Sequence, residues 1–250
     1  MPRANVKDKR KAQLIGAALE SIAKRGLMET TITHISKGAG MSRGIINFYF
    51  NSKEMMMREA LKSLIDEYEA EWFAAIAQAG DDGARRLASL VSAHFDKKLC
   101  SAKRLNVMSA FWGHAATQAA YRNQLEAADA KIEHAFTEAL AHMHGSSLED
   151  AKHHARQLHA LIRGLWLNFM LNPQTVSRES LAAECYSFIE RLSGGPVRVV
   201  VNKTEAAAPI APAAPKAPKP EKPPVAKKPA KKKEPAPQQM DIEDLFGKLG

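Results

Sequence analysis

Apolar positions recur at helical spacing over nearly all of the chain up to about Leu192. Ile15, Ala18, Leu19 and Ile22 keep the i, i+3, i+4, i+7 spacing of one helical face, and Gly26 is well placed to end that helix. A short helical stretch over Thr31–Lys37 follows, then a turn at Gly38-Ala39-Gly40-Met41, then a second short stretch starting at Ser42. A long helix starts near Ser52 and carries Leu61, Leu64, Ile65, Tyr68 and Trp72, with a break at Asp81-Asp82-Gly83. Further helices are predicted over 84–100, 102–115, 118–144, 148–171 and 177–192, with stops at Gly145, Asn172-Pro173 and Gly194-Gly195-Pro196. Strand-like alternation never persists, and Val197–Val201 is the one β-like run. The pattern is that of an all-α protein.

Composition changes this picture at one place. Ten of the 13 prolines fall after Asn202, and Phe246 is the only aromatic residue there. Such a stretch cannot bury enough apolar surface to offset its ordering entropy, so residues 203–250 are expected to be disordered. Charge is equally uneven. Residues 1–62 carry 12 Lys/Arg against 5 Asp/Glu and residues 203–250 carry 10 against 6, whereas the middle is slightly acidic within a total of +9. Basic ends around a near-neutral body point to a polyanion, nucleic acid or an acidic membrane surface. With two cysteines, no apolar leader and no run of about 18 apolar residues, the chain reads as a cytoplasmic protein without a membrane partner.

The informative segment runs from Thr31 to Lys53. Thr31 and Ser42 can each N-cap a short helix, and Ile35, Ala39, Ile45 and Ile46 can bury their faces together. Ser42, Arg43, Gly44, Asn47 and Phe48 are then left facing outward on the second helix. Spacing alone would fit any αα-hairpin. A small residue, a cation and an amide at an exposed helix start are also what a DNA major groove accepts.

The full pattern decides between these. Thr30-Thr31, Ile35, Ala39-Gly40, Ser42 and Gly44, followed by Tyr49-Phe50 and Ser52-Lys53-Glu54, resembles the DNA-binding signature of TetR-family regulators nearly throughout. The resemblance implies phosphate contacts at Thr31, Ser42, Tyr49 and Lys53, and close backbone approach at Gly44. It makes Arg43 and Asn47 the base readers, with Thr33 completing the DNA-facing set. Where the family usually has Tyr-His, this chain has Asn47-Phe48, so the operator sequence does not carry over. Phe48 meets a thymine methyl or simply packs.

Phe95-Asp96, Ala110-Phe111-Trp112 and Leu161-Ile162-Arg163-Gly164-Leu165-Trp166-Leu167 resemble landmarks of the BetI-type branch, regulators of glycine betaine synthesis that respond to choline. The aromatics Phe95, Phe111, Trp112, Trp166 and Phe169 are either core packing or a cage for a quaternary ammonium ion. One departure stands out. The branch reads Asp-Gly-Leu-Trp-Leu-Arg, but Arg163 replaces the acid here and Asn168 replaces the base. A cation at such a site would meet repulsion, so the effector need not be choline.

The resulting expectation comprises a helix-turn-helix head over 1–55, a helical effector-binding and dimerisation domain over 56–195, and a Lys/Pro/Ala-rich tail over 203–250. Double-stranded DNA, a second copy of the chain and a small-molecule effector are the expected partners. Dimerisation is expected through the last two helices, around Leu158, Leu161, Ile162, Gly164, Leu165, Leu181 and Phe188. No nucleophile elbow, phosphate loop or zinc-hydrolase spacing occurs, so no enzyme, cofactor or catalytic residue is expected. His142, His144, His153 and His154 lack a cysteine or carboxylate cluster beside them and read as solvated surface, not a metal site. Ile242, Leu245, Phe246 and Leu249 share one helical stripe, so 240–250 is a candidate docking motif for a protein partner. The alternative function is an architectural protein whose basic tail binds DNA without sequence preference.

Overall fold

The computed structural model describes residues 3–144 and 147–193. The expectations for Val197–Val201, the tail and the 240–250 motif lie outside the described residues. Those described form nine helices and no strand: α1 (Arg3–Glu29), α2 (Ile32–Ala39), α3 (Arg43–Tyr49), α4 (Lys53–Ala79), α5 (Gly83–His94), α6 (Ala102–Ala115), α7 (Ala119–His144), α8 (Leu148–Leu171) and α9 (Arg178–Ser193).

Local chemistry sets the boundaries of the short helices. Thr31 Oγ1 accepts a hydrogen bond from His34 N at 3.2 Å, and Ser42 Oγ accepts one from Ile45 N at 3.4 Å, so both expected N-caps form. Ser52 does the same for Met55 N at 3.1 Å and opens α4. The turn after α2 lies later than the sequence predicts, because Gly38 and Ala39 remain helical. Gly40 takes the left-handed conformation (φ 63°), and the Met41 N–H reaches back to Ser36 O at 3.1 Å, which closes the helix. In α1, Gly26 (φ 81°) breaks the helical path as expected, and Thr30 Oγ1 donates to the Gly26 carbonyl at 2.8 Å.

Two expectations shift in register. The buried stripe of α1 is Leu14, Ala18, Ser21 and Ile22, with Ile15 and Leu19 at its edge, so the face is rotated by one position. The helix expected over 84–100 ends at His94. Beyond it Asp96 draws the chain into a turn: its carboxylate accepts from Lys98 N at 2.8 Å and its carbonyl from Cys100 N at 2.7 Å. A short polar side chain thus offers the backbone an alternative to the helix.

Two apolar clusters organise the packing. One joins α1–α3 and the first half of α4 (Met56, Met57, Ala60, Leu61, Leu64, Ile65) to Val107, Met108 and Phe111 of α6 and Tyr121, Leu125 and Ala128 of α7. The other joins Tyr68 and Trp72 of α4 to α5, α7, α8 and α9. Helix α4, about 40 Å long at 1.5 Å per residue, is therefore shared between them. Leu158, Ile162 and Leu181, expected at a dimer face, lie inside the second cluster. Leu161, Leu165 and Phe188 of the same set are half-buried against it, whereas Gly164 faces outward on α8, in one stripe with Ala160, Leu167 and Leu171.

Candidate DNA-reading face and effector cavity

On α3 the residues expected to face DNA are exposed: Ser42, Arg43, Gly44, Asn47 and Phe48 all face outward, the last at 74% exposure. Ile46 anchors the helix from its opposite face at 0% exposure, with Ile45 half-buried beside it. The Arg43 guanidinium donates to Thr33 Oγ1, which brings two of the expected contacts together across the α2–α3 turn. Lys7 Nζ lies 6.0 Å from the centroid of the Phe48 ring, and Tyr49 packs edge-on against that ring. Thr31 is exposed as the cap of α2. Lys53, at the start of α4, donates to the Met28 carbonyl at 3.2 Å. The positive end of the α4 macrodipole and this lysine thus coincide, an arrangement suited to a phosphate.

The second site is a small cavity of about 40 Å³ between α4, α6, α7 and α8. Of the five aromatics named from the sequence, Trp112 and Trp166 line it. Phe95, Phe111 and Phe169 do not; they are buried in the two cores, and Phe169 packs beneath the Arg178 guanidinium. Apolar periodicity marks all five as buried but cannot distinguish a wall facing a cavity from one facing another helix.

Trp112 and Trp166 lie nearly parallel, 14° apart with centroids 6.4 Å apart, and Tyr68 meets Trp166 edge-on at 5.9 Å. A buried network fixes this wall. Tyr68 Oη donates to His94 Nε2 at 2.6 Å, His94 Nδ1–H donates to the Leu90 carbonyl at 2.6 Å, and Trp166 Nε1 donates to the His94 carbonyl at 2.9 Å. The Nδ1–H bond to Leu90 is obligatory, and with the ring neutral Nε2 is left to accept from Tyr68. Burial favours the same form and lowers its pKa to about 4.

Arg163 stands at the cavity. Its guanidinium lies over the Trp112 ring, 5.6 Å from the centroid, and pairs with the Asp129 carboxylate from α7. An acid therefore does stand at the cavity, on α7 and not at position 163. No local signal marks it, because its relation to α8 depends on how α7 and α8 are packed in register. The remaining polar wall is Arg104, which donates to Glu67 at 2.6 Å and the Leu64 carbonyl at 2.9 Å, and His159, whose Nδ1 lies 3.1 Å from Glu133. Burial first, and then the Arg163 charge, hold His159 below its ordinary pKa. Both cysteines are buried, and burial pushes each thiol up to about 12, which leaves them unreactive.

A capped two-helix unit with its polar start exposed, on a body that encloses an aromatic cavity, has clear counterparts. Residues 14–60 match the family model of bacterial regulatory proteins of the tetR family. Residues 83–194 match that of the BetI-type transcriptional repressor C-terminal domain. The chain belongs to the TetR family of DNA-binding transcriptional regulators, in its BetI-type branch. Among its relatives, the HTH-type transcriptional regulator BetI of Stenotrophomonas maltophilia is 29% identical over 194 residues, 76% of this chain and 96% of that protein. BetI 1 of Chromohalobacter salexigens is 28% identical over 192 residues, 76% and 93% of the respective chains. A transcriptional regulator of Pseudomonas aeruginosa PAO1 superposes with a TM-score of 0.69 at 27% identity, covering 75% of this chain and 92% of that one. A regulator from Saccharomonospora viridis, solved in complex with choline, shares the fold at 21% identity, with a TM-score of 0.66 over 73% and 96% of the chains. Neither family match extends past residue 194. Among the described residues, no helix is long and apolar enough to cross a membrane.

Proposed function

We propose that this TetR-family protein is a ligand-responsive repressor that binds a pseudo-palindromic operator as a homodimer and releases it when a small molecule enters the α4/α6/α7/α8 cavity. Residues 1–55 form the DNA-binding head in this reading and 56–195 the effector-binding and dimerisation domain. Arg43 and Asn47 read bases, while Thr31, Ser42, Tyr49 and Lys53 hold phosphates, with Thr33 supporting Arg43. The observation that carries the reading is the capped helix α3, whose Ser42-Arg43-Gly44 start, Asn47 and Phe48 face outward from a buried Ile46.

Helix α6 supports a coupling between the two sites. Arg104, Leu105, Met108 and Trp112 line the cavity, while Val107 and Phe111 pack into the head cluster and Lys103 pairs with Glu20 of α1. A ligand that displaces the cavity wall therefore moves α6 against the head. The aromatic wall and Asp129 suit a quaternary ammonium, the class to which the choline seen in the S. viridis regulator belongs.

The test is selection of bound duplexes from a randomised pool with the full chain, followed by gel shifts of the selected sequence at several salt concentrations. A two-fold symmetric consensus should emerge, bound at least about 10³-fold tighter than random DNA. A steep salt slope with no sequence preference would overturn the reading in favour of the architectural alternative.

A further inference from the structure

The charges around the cavity narrow the ligand class, on the premise that this cavity is the effector site. Its formal ion pair is Arg163–Asp129, with the guanidinium laid across the Trp112 face that a ligand's cationic head would otherwise use. Arg104 is engaged by Glu67 and the Leu64 carbonyl. His159 is held below its ordinary pKa by burial and then by the Arg163 charge, with its Nδ1 3.1 Å from Glu133 and its Nε2 3.8 Å from Asp129. The Trp112 indole N–H is buried and has no acceptor. The space enclosed, about 40 Å³, holds no more than a few water molecules, so a ligand must displace a side chain to enter. Arg163 is suited to that displacement, since its side chain is 37% exposed and sits at the rim.

Consider what each type of ligand leaves behind. A simple cation that takes the Trp112 face and Asp129 ejects the guanidinium and leaves it without its carboxylate. A simple anion that takes Arg163 leaves the partly buried Asp129 without its guanidinium, with only the His159 ring 3.8 Å away. Both outcomes carry the cost of breaking a partly desolvated pair. A zwitterion inserted between the two partners leaves neither unpaired: its ammonium takes Asp129 and the Trp112 and Trp166 faces, and its carboxylate takes Arg163. The orphaned indole N–H provides that carboxylate with a second donor.

We infer that the effector is a zwitterion, a compact quaternary ammonium that also carries a carboxylate, and that Arg163 is the residue selecting the carboxylate. The arginine that would repel a bare cation thereby becomes the determinant that separates betaine-like molecules from the corresponding alcohols.

Isothermal titration of the full-length dimer with N,N,N-trimethylglycine and with choline tests this, since the two share an ammonium head and differ in the acid. The zwitterion should bind at least about tenfold tighter, the fold-change of one hydrogen bond to a charged group. Arg163→Gln should bring the two affinities within about threefold of each other, and Arg163→Lys should restore much of the preference. Asp129→Asn should weaken both ligands. Thermal melts of each variant identify any loss that is merely unfolding, and the wild-type ratio stands without them. If choline binds the wild type as tightly as trimethylglycine and releases operator DNA, the zwitterion inference fails while the effector-site reading survives. An unchanged ratio in Arg163→Gln also defeats it. If neither ligand binds at millimolar concentration, the zwitterion inference fails, and the effector-site reading then stands or falls on other small molecules.

Discussion

Asn47 and Lys53 occupy different chemical positions on the face proposed to meet DNA, and their replacement should show it. Asn47 is an exposed amide on α3, able to pair with an adenine edge. Asn47→Ala should cost about 1–3 kcal/mol at one operator position and relax preference there. Lys53→Ala should weaken every sequence alike and lower the salt slope by about one. Gel shifts on singly substituted operators measure both, and equal losses on all sequences from both variants would remove Asn47 as a reader. His94 makes a residue-scale prediction about stability. Its folded pKa of about 4 lies below the ordinary 6.5, so the unfolded chain takes the proton first. Stability is therefore complete above pH 6.5 and falls as pH drops toward 4, by about 3 kcal/mol for this group. His159 is shifted in the same direction and steepens the fall. Urea unfolding from pH 7 to 4 should show a shallower decline in His94→Gln, and parallel curves would assign the titration elsewhere.

The contact of α5 with the C-terminal end of α7 leaves no room for an added side-chain atom. A Cβ added at Gly83 would lie 2.7 Å from the Ala139 carbonyl oxygen and 2.9 Å from Met143 N and His142 Cβ. Two of those atoms are backbone and cannot swing aside. Alanine is intrinsically the better helix former by about 1 kcal/mol, yet Gly83→Ala should destabilise the protein by about 1–3 kcal/mol, because the helices must separate. A lower urea midpoint at unchanged m-value is the expected readout. A stabilised variant would show that α5 and α7 tolerate more distance than this packing allows.

For the whole molecule, dimerisation and coupling are the properties at stake. The α8 stripe of Ala160, Gly164, Leu167 and Leu171 is apolar and small, with Leu167 49% and Leu171 66% exposed. It is the face proposed to meet a second copy, while Leu158 and Ile162 serve the protomer's own core. The Leu167→Glu/Leu171→Glu double variant should be monomeric in light scattering at micromolar concentration, with helix content retained and operator affinity reduced. A variant that stays dimeric would place the interface elsewhere. Half-sites should lie one helical turn, about 34–36 Å, or a multiple apart. Coupling is reciprocal, so saturating operator must weaken the effector by the same factor by which effector weakens operator.

The sequence by itself determined the all-α class, most helix boundaries and which residues of the second short helix face outward, because each depends on neighbours within a few positions. Caps at Thr31, Ser42 and Ser52 and the turn at Gly40 are local hydrogen bonds and dihedrals, legible from residue type. The exposed face of α3 follows from the burial of Ile46 on the other side. Tertiary structure decided what periodicity cannot carry. The relative rotation of α7 and α8 set Asp129 opposite Arg163, and the crossing of α4, α6 and α8 turned Trp112 and Trp166 toward a cavity while Phe111 and Phe169 went to core. His94 looked like one histidine among nine, yet it anchors the aromatic wall because α4 and α8 deliver Tyr68 and Trp166 to it. An amphipathic pattern records that a side chain leaves water, whereas only packed helices record what it meets there.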